Sequence, residues 1–131
     1  MRGVRVGVAV DALFDRTLTR LVGFEVRCGD GAHRFLPFPA SEVQNDGLVL
    51  ESALVLLDRE LGFYRGGGSD FSTLRGQDVT LAGDLVGPLA DVLVDREGSV
   101  RAIVVSTPEG RRELEPRAGL VVGSYLLRPA V

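Results

Sequence analysis

The chain has 131 residues, 45% of them hydrophobic and 25% charged, with a net charge of −3 and a pI of about 5.1. These values are typical of a folded globular protein and exclude a disordered chain, in which hydrophobic residues are scarce. All 15 basic residues are Arg, and they do not form the basic cluster that nucleic-acid-binding domains carry. We therefore expect no direct contact with nucleic acid.

The sequence also predicts a cytoplasmic protein without membrane insertion. The longest apolar run, Ala53–Leu57, is far shorter than the roughly 20 residues that span a bilayer. Asp11 interrupts the apolar stretch near the N-terminus, so we do not expect that stretch to be a signal peptide. Cys28 is the one cysteine of the sequence and cannot form an internal disulfide, which fits a reducing compartment.

The first half of the chain predicts a series of short strands. Valines alternate with other residues over Val4–Val10, a period of two that indicates a strand with one buried face. A strand at Leu21–Cys28 is followed by a turn at Gly29–Gly31 and a returning strand at His33–Phe38, because glycine accepts the positive φ of tight hairpin turns. A further short strand is predicted at Asp46–Ser52.

Two interpretations fit residues 53–64. Four large residues would share one face of a helix: Leu54, Leu57, Leu61 and Tyr64. The alternative continues the preceding strand through Leu57 and leaves a single helical turn. We favour the short helix, followed by a flexible joint at Gly66–Ser69.

The second half of the chain repeats the pattern of the first. Val79 and Leu81 alternate as in a strand, and the next extended stretch turns at Arg96–Gly98 and returns over Val100–Ser106. Another hairpin is predicted around Pro108–Gly110, before a closing extended segment. Many short strands with frequent Gly and Pro turns favour a barrel or a sandwich.

The tripeptide Leu-Val-Gly occurs at the start of a strand in both halves, at Leu21–Gly23 and at Leu85–Gly87, and a Gly turn follows each of them. This correspondence predicts a degenerate duplication. The first unit then covers residues 1–66 with its linking helix, the linker covers residues 67–73, and the second unit covers residues 74–131.

Three motifs resemble those of the PRC-barrel family, which is named for the H subunit of the photosynthetic reaction centre. Leu74–Val79 follows the pattern Leu-x-Gly-x-x-Val, and Gly87–Asp95 follows Gly-x-x-x-Asp-Val-x-x-Asp before a glycine and a β-branched return strand. Leu36-Pro37 and the residues after it are similar to a late Leu-Pro-x-x-x-Val element, which Leu114–Pro116 matches approximately. The motifs are turn and core positions rather than chemical groups.

The resemblance covers most of Leu74–Leu127 and, less closely, Val4–Leu50. It implies a mostly β protein of two small PRC-like antiparallel β-barrel repeats with a short connecting helix. Family members act as protein-interaction or assembly modules, and the ribosome-maturation member binds a ribosomal protein. We therefore expect a stand-alone, non-enzymatic interaction module that binds another protein or a second copy of itself, without a cofactor. The alternative is a ribosome-assembly accessory factor that binds a ribosomal protein.

The chemical groups of the sequence suggest few catalytic sites. Cys28 and His33 flank a turn, and with Asp30 they could form an activated thiol. We favour instead a buried cysteine and a solvent-facing histidine. One His and one Cys cannot supply the three or four ligands of a metal site. Asp91 and Asp95 lie four residues apart on a strand, about 13 Å, which is too far for paired acid–base chemistry.

The densest aromatic patch consists of Phe63, Tyr64 and Arg65, with Phe71 close by. These residue types are enriched where proteins bury surface against a partner. We predict that the four residues bind a partner. The alternative is that their rings fill the seam between the two barrels.

Overall fold

The structure is a computed structural model that describes residues 7–44, 47–49, 69–123 and 125–126. The protein is mostly β, as predicted. Its described elements, in chain order, are β1 (Gly7–Phe14), β2 (Leu21–Cys28), β3 (His33–Pro37), a 3₁₀ turn (Phe38–Ala40), β4 (Glu42–Gln44), β5 (Gly47–Val49), β6 (Ser69–Asp70), α1 (Phe71–Leu74), β7 (Asp78–Leu81), β8 (Asp84–Val94), β9 (Val100–Thr107), β10 (Gly110–Leu114), β11 (Leu120–Val122) and β12 (Tyr125–Leu126).

The strands form two larger sheets and a small hairpin. The first sheet has the order β3-β2-β1-β6, the second has the order β10-β9-β8-β7-β11-β12, and β4 pairs with β5. All pairings between described strands are antiparallel. No helix among the described residues is long and apolar enough to cross a membrane.

The predicted hairpins are confirmed. Gly31 has a φ of +85°, and its N–H donates to the carbonyl of Cys28 at 2.9 Å, which closes the turn between β2 and β3. The returning strand ends at Pro37, one residue earlier than predicted, and Phe38 begins the 3₁₀ turn. Proline at residues 37 and 39 accounts for this end, because proline has no N–H for a ladder. The hairpins β8–β9 and β9–β10 also form as predicted.

No closed barrel is found among the described residues, so the predicted barrel repeats remain unconfirmed there. The two sheets are open there, with β3 and β6 at the edges of one and β10 and β12 at the edges of the other. The two sheets share the main hydrophobic core. This core combines residues from both halves: Phe14, Leu18, Leu21, Leu74, Val79, Leu89, Val100, Ile103, Val105, Leu114, Leu120 and Val122.

Backbone hydrogen bonds join the two sheets at one point. Arg20 and Ser99 form an isolated antiparallel bridge. On one side of it the N–H of Leu21 donates to the carbonyl of Gly98 at 2.7 Å, and on the other the N–H of Val100 donates to the carbonyl of Thr19 at 2.8 Å. The two hairpins therefore meet at the starts of β2 and β9, where each hairpin donates one backbone N–H to the other and accepts one from it.

The turn between β1 and β2 is organised by Asp15. Its carboxylate accepts the N–H of Thr19 at 2.7 Å, and its carbonyl accepts the N–H of Leu18 at 3.1 Å. Leu18 has a φ of +54° and is fully buried. A leucine in the left-handed region is unusual, because its Cβ comes too close to the next carbonyl. The turn holds this conformation while Leu18 packs in the core.

The turn between β8 and β9 repeats these contacts. The carboxylate of Asp95 accepts the N–H of Ser99 at 2.9 Å, and its carbonyl accepts the N–H of Gly98 at 3.0 Å. Gly98 takes the place of Leu18 and has a φ of +83°. Partial burial acts against ionisation of Asp95, but the N–H of Ser99 and the Arg101 guanidinium outweigh it and hold the pKa of this carboxyl below its ordinary value.

The two hairpins also have β-bulges at matching points. One extra residue lies in each of four strands: Val10 in β1, Val22 in β2, Ala90 in β8 and Arg101 in β9. Asp11 and Asp91 follow the first bulge of their hairpins, and each carboxylate accepts the N–H of the next residue, at 2.9 and 2.8 Å. The matching segments read Asp-Ala-Leu-Phe-Asp-Arg at residues 11–16 and Asp-Val-Leu-Val-Asp-Arg at residues 91–96.

The two Leu-Val-Gly tripeptides do not occupy matching positions. Leu21–Gly23 lies in β2, the second strand of its hairpin, whereas Leu85–Gly87 lies in β8, the first strand of its hairpin. The segment Leu74–Val79 is also not one strand: Leu74 ends α1, and β7 begins at Asp78 after a turn at Gly76 with a φ of +87°.

Part of the predicted linker has regular structure. Ser69–Asp70 forms β6 and pairs with β1, and Phe71–Leu74 forms α1. The predicted helix or strand at residues 53–64, and Gly66–Gly68 of the predicted joint, lie outside the described residues.

Candidate interaction surface

Only one of the four predicted partner-binding residues lies in the described part of the chain. Phe71, in α1, is half-buried and packs against the main core. Phe63, Tyr64 and Arg65 lie outside the described residues. The partner-binding role of these four residues stays a prediction.

The structure does not bring Cys28 and His33 together. Strand pairing places His33 opposite Arg27, and its Nδ1 lies 2.5 Å from Oε2 of Glu25. Cys28 is buried, at 7% exposure, and its N–H donates to the carbonyl of Ala32 at 2.8 Å. The favoured interpretation of a buried cysteine is therefore confirmed. His33, half-exposed, bonds a carboxylate rather than a thiol.

Asp30 also has a structural role. Its carboxylate accepts hydrogen bonds from the Arg34 guanidinium and from the N–H of Ala32. These contacts, with Arg34 foremost, hold the pKa of the Asp30 carboxyl below its ordinary value. Asp30 therefore fixes the β2–β3 turn and does not orient His33.

A cleft of about 550 Å³ lies between the tips of two hairpins of the second sheet. One tip is the β7–β8 turn at Ala82 and Gly83, whose φ angles are +51° and +86°. The other is the β9–β10 turn at Pro108 and Glu109, which the Thr107 hydroxyl braces by donating to the carbonyl of Gly110 at 2.9 Å. The lining residues are Leu81, Asp84, Leu85, Val86, Thr107, Pro108, Glu109, Arg111 and Arg112.

The cleft combines apolar surface with cationic side chains. Leu85 is 67% exposed, more than any other large hydrophobic residue in the described part of the chain, and Val86 packs on the core beneath it. Arg111 and Arg112 are exposed and form no side-chain hydrogen bond or ion pair with a described residue. Both guanidinium groups are thus available to a ligand, although Glu109 and Asp84 share the cleft with them.

Arg111 and Arg112 belong to β10, an edge strand of the six-stranded sheet. One side of β10 pairs with β9 from Gly110 to Leu114, and no described strand pairs with the other side. A free strand edge offers unpaired N–H and C=O groups to an incoming chain. The surface formed by the cleft and this edge is called the β10 cleft below.

Sequence reasoning passed over the β10 cleft. In the sequence, Glu109, Glu113 and Glu115 stand close to the Arg111-Arg112 pair, so the sequence alone predicts that its charge is offset locally. The structure shows none of these carboxylates paired with either arginine. The sequence feature that could have revealed the β10 cleft was the Arg-Arg pair directly after a predicted hairpin turn.

The described residues contain no group of three or more His, Cys, Asp or Glu side chains that could hold a metal ion. No protein-family model matches the chain, and a comparison with curated proteins finds no match either.

Proposed function

We propose that this chain is a non-enzymatic protein-interaction module of the PRC-barrel type. The observation that carries the proposal is the β10 cleft, where a free strand edge, an exposed leucine and two unpaired arginines lie together. Each of these groups gains by contact with another chain, and side-chain contacts within the described residues do not satisfy them.

The β10 cleft suits an extended segment of a partner protein. Strand addition to a sheet edge supplies main-chain hydrogen bonds, and pockets beside the edge select side chains. Leu85 offers an apolar contact, and Arg111 and Arg112 offer charge-assisted hydrogen bonds to carboxylates. The partner segment is therefore extended, with at least one acidic and one apolar residue.

We also infer that the two hairpin units descend from a duplication, in a phase different from that of the Leu-Val-Gly tripeptides. Strands β1–β3 correspond to β8–β10. The support is the pair of matching Asp turns, the four matching bulges and the Asp-x-Leu-x-Asp-Arg segments. Two PRC-like units that share one core would account for this arrangement.

The proposal is tested by affinity capture from native lysate followed by mass spectrometry. The test variant is Arg111→Glu/Arg112→Glu, and the matched control is Arg75→Glu/Arg117→Glu, which changes the net charge equally at exposed sites away from the cleft. We expect a stoichiometric partner that the wild type and the control retain and that the test variant loses at least tenfold, with unchanged circular dichroism. A partner retained equally by all three proteins would refute the role of the β10 cleft, and the capture of no protein would refute the module. Cosedimentation with ribosomes would favour the accessory-factor alternative.

A further inference from the structure

The carboxylate of Asp11 holds a neighbouring segment in place. It accepts the N–H of Ser72 at 3.1 Å through Oδ1 and the hydroxyl of Ser72 at 2.6 Å through Oδ2. The same segment adds strand β6 to β1, with Asp70 opposite Leu13 and Ser69 opposite Phe14. Two main-chain pairings and one doubly bonded serine thus seat residues 69–72 on the outer edge of β1.

Asp91 occupies the matching position in the second sheet. It follows the matching bulge, and its Oδ1 accepts the N–H of Val92 at 2.8 Å, as Asp11 accepts that of Ala12 at 2.9 Å. Asp91 is exposed, and its carboxylate accepts no other hydrogen bond from a described residue. The contact that corresponds to Ser72 on Asp11 is absent from the described part of the chain at Asp91.

The strand edge beside Asp91 is also open. β7 pairs with the first half of β8, up to Pro88, and the backbone of Leu89 is bonded to Gly76 and Gln77. No described strand pairs with the outer edge of β8 from Asp91 to Val94. Val94 is 37% exposed there, in the position that matches Phe14, which β6 covers.

We propose that Asp91 and the outer edge of β8 form a second docking site, for a foreign segment with the chemistry of residues 69–72. Such a segment is extended for two residues and then presents a serine or threonine. Its main chain would pair with Leu93 and Val94, and its serine would donate an N–H and an O–H to the two oxygens of Asp91. The occupant is argued from the equivalent site, where a segment of this kind is already seated on Asp11.

This inference rests on the proposed function, because it assigns a further partner contact to an interaction module. It differs from the β10 cleft in position and in the partner chemistry required. The β10 cleft favours carboxylates, whereas the Asp91 site favours a hydroxyl and an N–H from the same residue.

The test uses the ¹⁵N-labelled full chain and a synthetic peptide with the sequence of residues 67–76. We expect chemical-shift changes at residues 91–94 on titration. Asp91→Asn should weaken binding about tenfold or more, because hydrogen bonds to an ionised acceptor are the strong ones. Asp78→Asn, an equal charge change at an exposed site on the neighbouring strand β7, should leave binding unchanged. A peptide in which alanine replaces the serine that corresponds to Ser72 should bind to the wild type as weakly as the parent peptide binds to Asp91→Asn.

Three outcomes would overturn the inference. The first is the absence of a chemical-shift change at residues 91–94. The second is shift changes confined to residues 11–14, because the peptide would then displace the chain's own segment. The third is a stable dimer that Asp91→Asn dissociates, which would assign the edge to a second copy. The capture experiment with Arg111→Glu/Arg112→Glu does not involve Asp91. A failure here therefore leaves the proposed function standing, and a failure there does not change the result of the titration.

Discussion

Leu18 combines two opposing features whose balance can be measured. Its side chain is fully buried in the shared core, so Leu18→Ala should lower the free energy of unfolding by about 2–5 kcal/mol. Its φ of +54° is strained for any residue with a Cβ, by about 1–2 kcal/mol. Replacement by glycine removes this strain as well as the side chain, but it raises the entropy of the unfolded chain. That entropy destabilises the folded protein by about 0.4–1 kcal/mol.

The balance predicts an inverted order of two variants. Leu18→Gly should be more stable than Leu18→Ala by about 0.5–1 kcal/mol, although both should be less stable than the wild type. The matched control is Leu120, which is equally buried and lies in β11 without a positive φ. Glycine should there be less stable than alanine by about 0.5–1 kcal/mol. Urea denaturation with a common m-value gives all four differences.

The result that would refute this reasoning is Leu18→Gly at or below the stability of Leu18→Ala. That order would mean that the chain relaxes residue 18 out of the left-handed region at little cost. The turns at Asp15 and Asp95 would then differ in one more respect, because, of Leu18 and Gly98, only the glycine would require a positive φ.

Two further predictions concern the hairpins. Gly23→Ala should destabilise the protein by about 1–3 kcal/mol or more in urea denaturation, because the new Cβ would overlap the buried Phe35 ring and a carbonyl. At Gly31, a new Cβ meets no atom within 4 Å, so Gly31→Ala should cost only the backbone strain of about 1–2 kcal/mol. Equal losses of stability in the two variants would argue against the tight packing of β2 on β3. Because the folded-state pKa of Asp95 is lowered, its contribution to stability is complete above its unfolded pKa and disappears as the pH falls through the folded value. Asp95→Asn should therefore reduce stability at neutral pH and lessen the loss of stability as the pH falls through and below the ordinary carboxyl range. A parallel pH profile for the two proteins would contradict the assignment.

The hairpins could be predicted because their signals are local. The turn at Gly29–Gly31 needs a residue that accepts a positive φ, and a few neighbouring residues suffice to show it. The alternation of valines over Val4–Val10 located part of β1, but Val8 and Val10, which it placed on a buried face, are 41% and 42% exposed. The absence of an ion pair between Arg111 or Arg112 and a described residue could not be predicted from neighbouring residues, because it depends on which carboxylates the folded chain brings near them.

The sequence pointed to a different phase of the proposed duplication for a related reason. Leu-Val-Gly is a short apolar tripeptide, and it suits the first strand of a hairpin as well as the second. The segments that do match, at residues 11–16 and 91–96, were present in the sequence. Their similarity shows in the bulges and turns of the two hairpins, and a bulge is a property of two paired strands and not of one.

The sequence by itself determined the β class, the hairpins and their turns, since backbone preference and alternation act over a few residues. Only the tertiary structure decided that residues of both sheets pack in one main core, and that His33 bonds Glu25 rather than Cys28. It also decided that β10 and the part of β8 beyond Leu89 each have an edge with which no described strand pairs. These features depend on contacts between residues that are distant in the chain, and such contacts are selected by the burial of apolar surface over the whole fold.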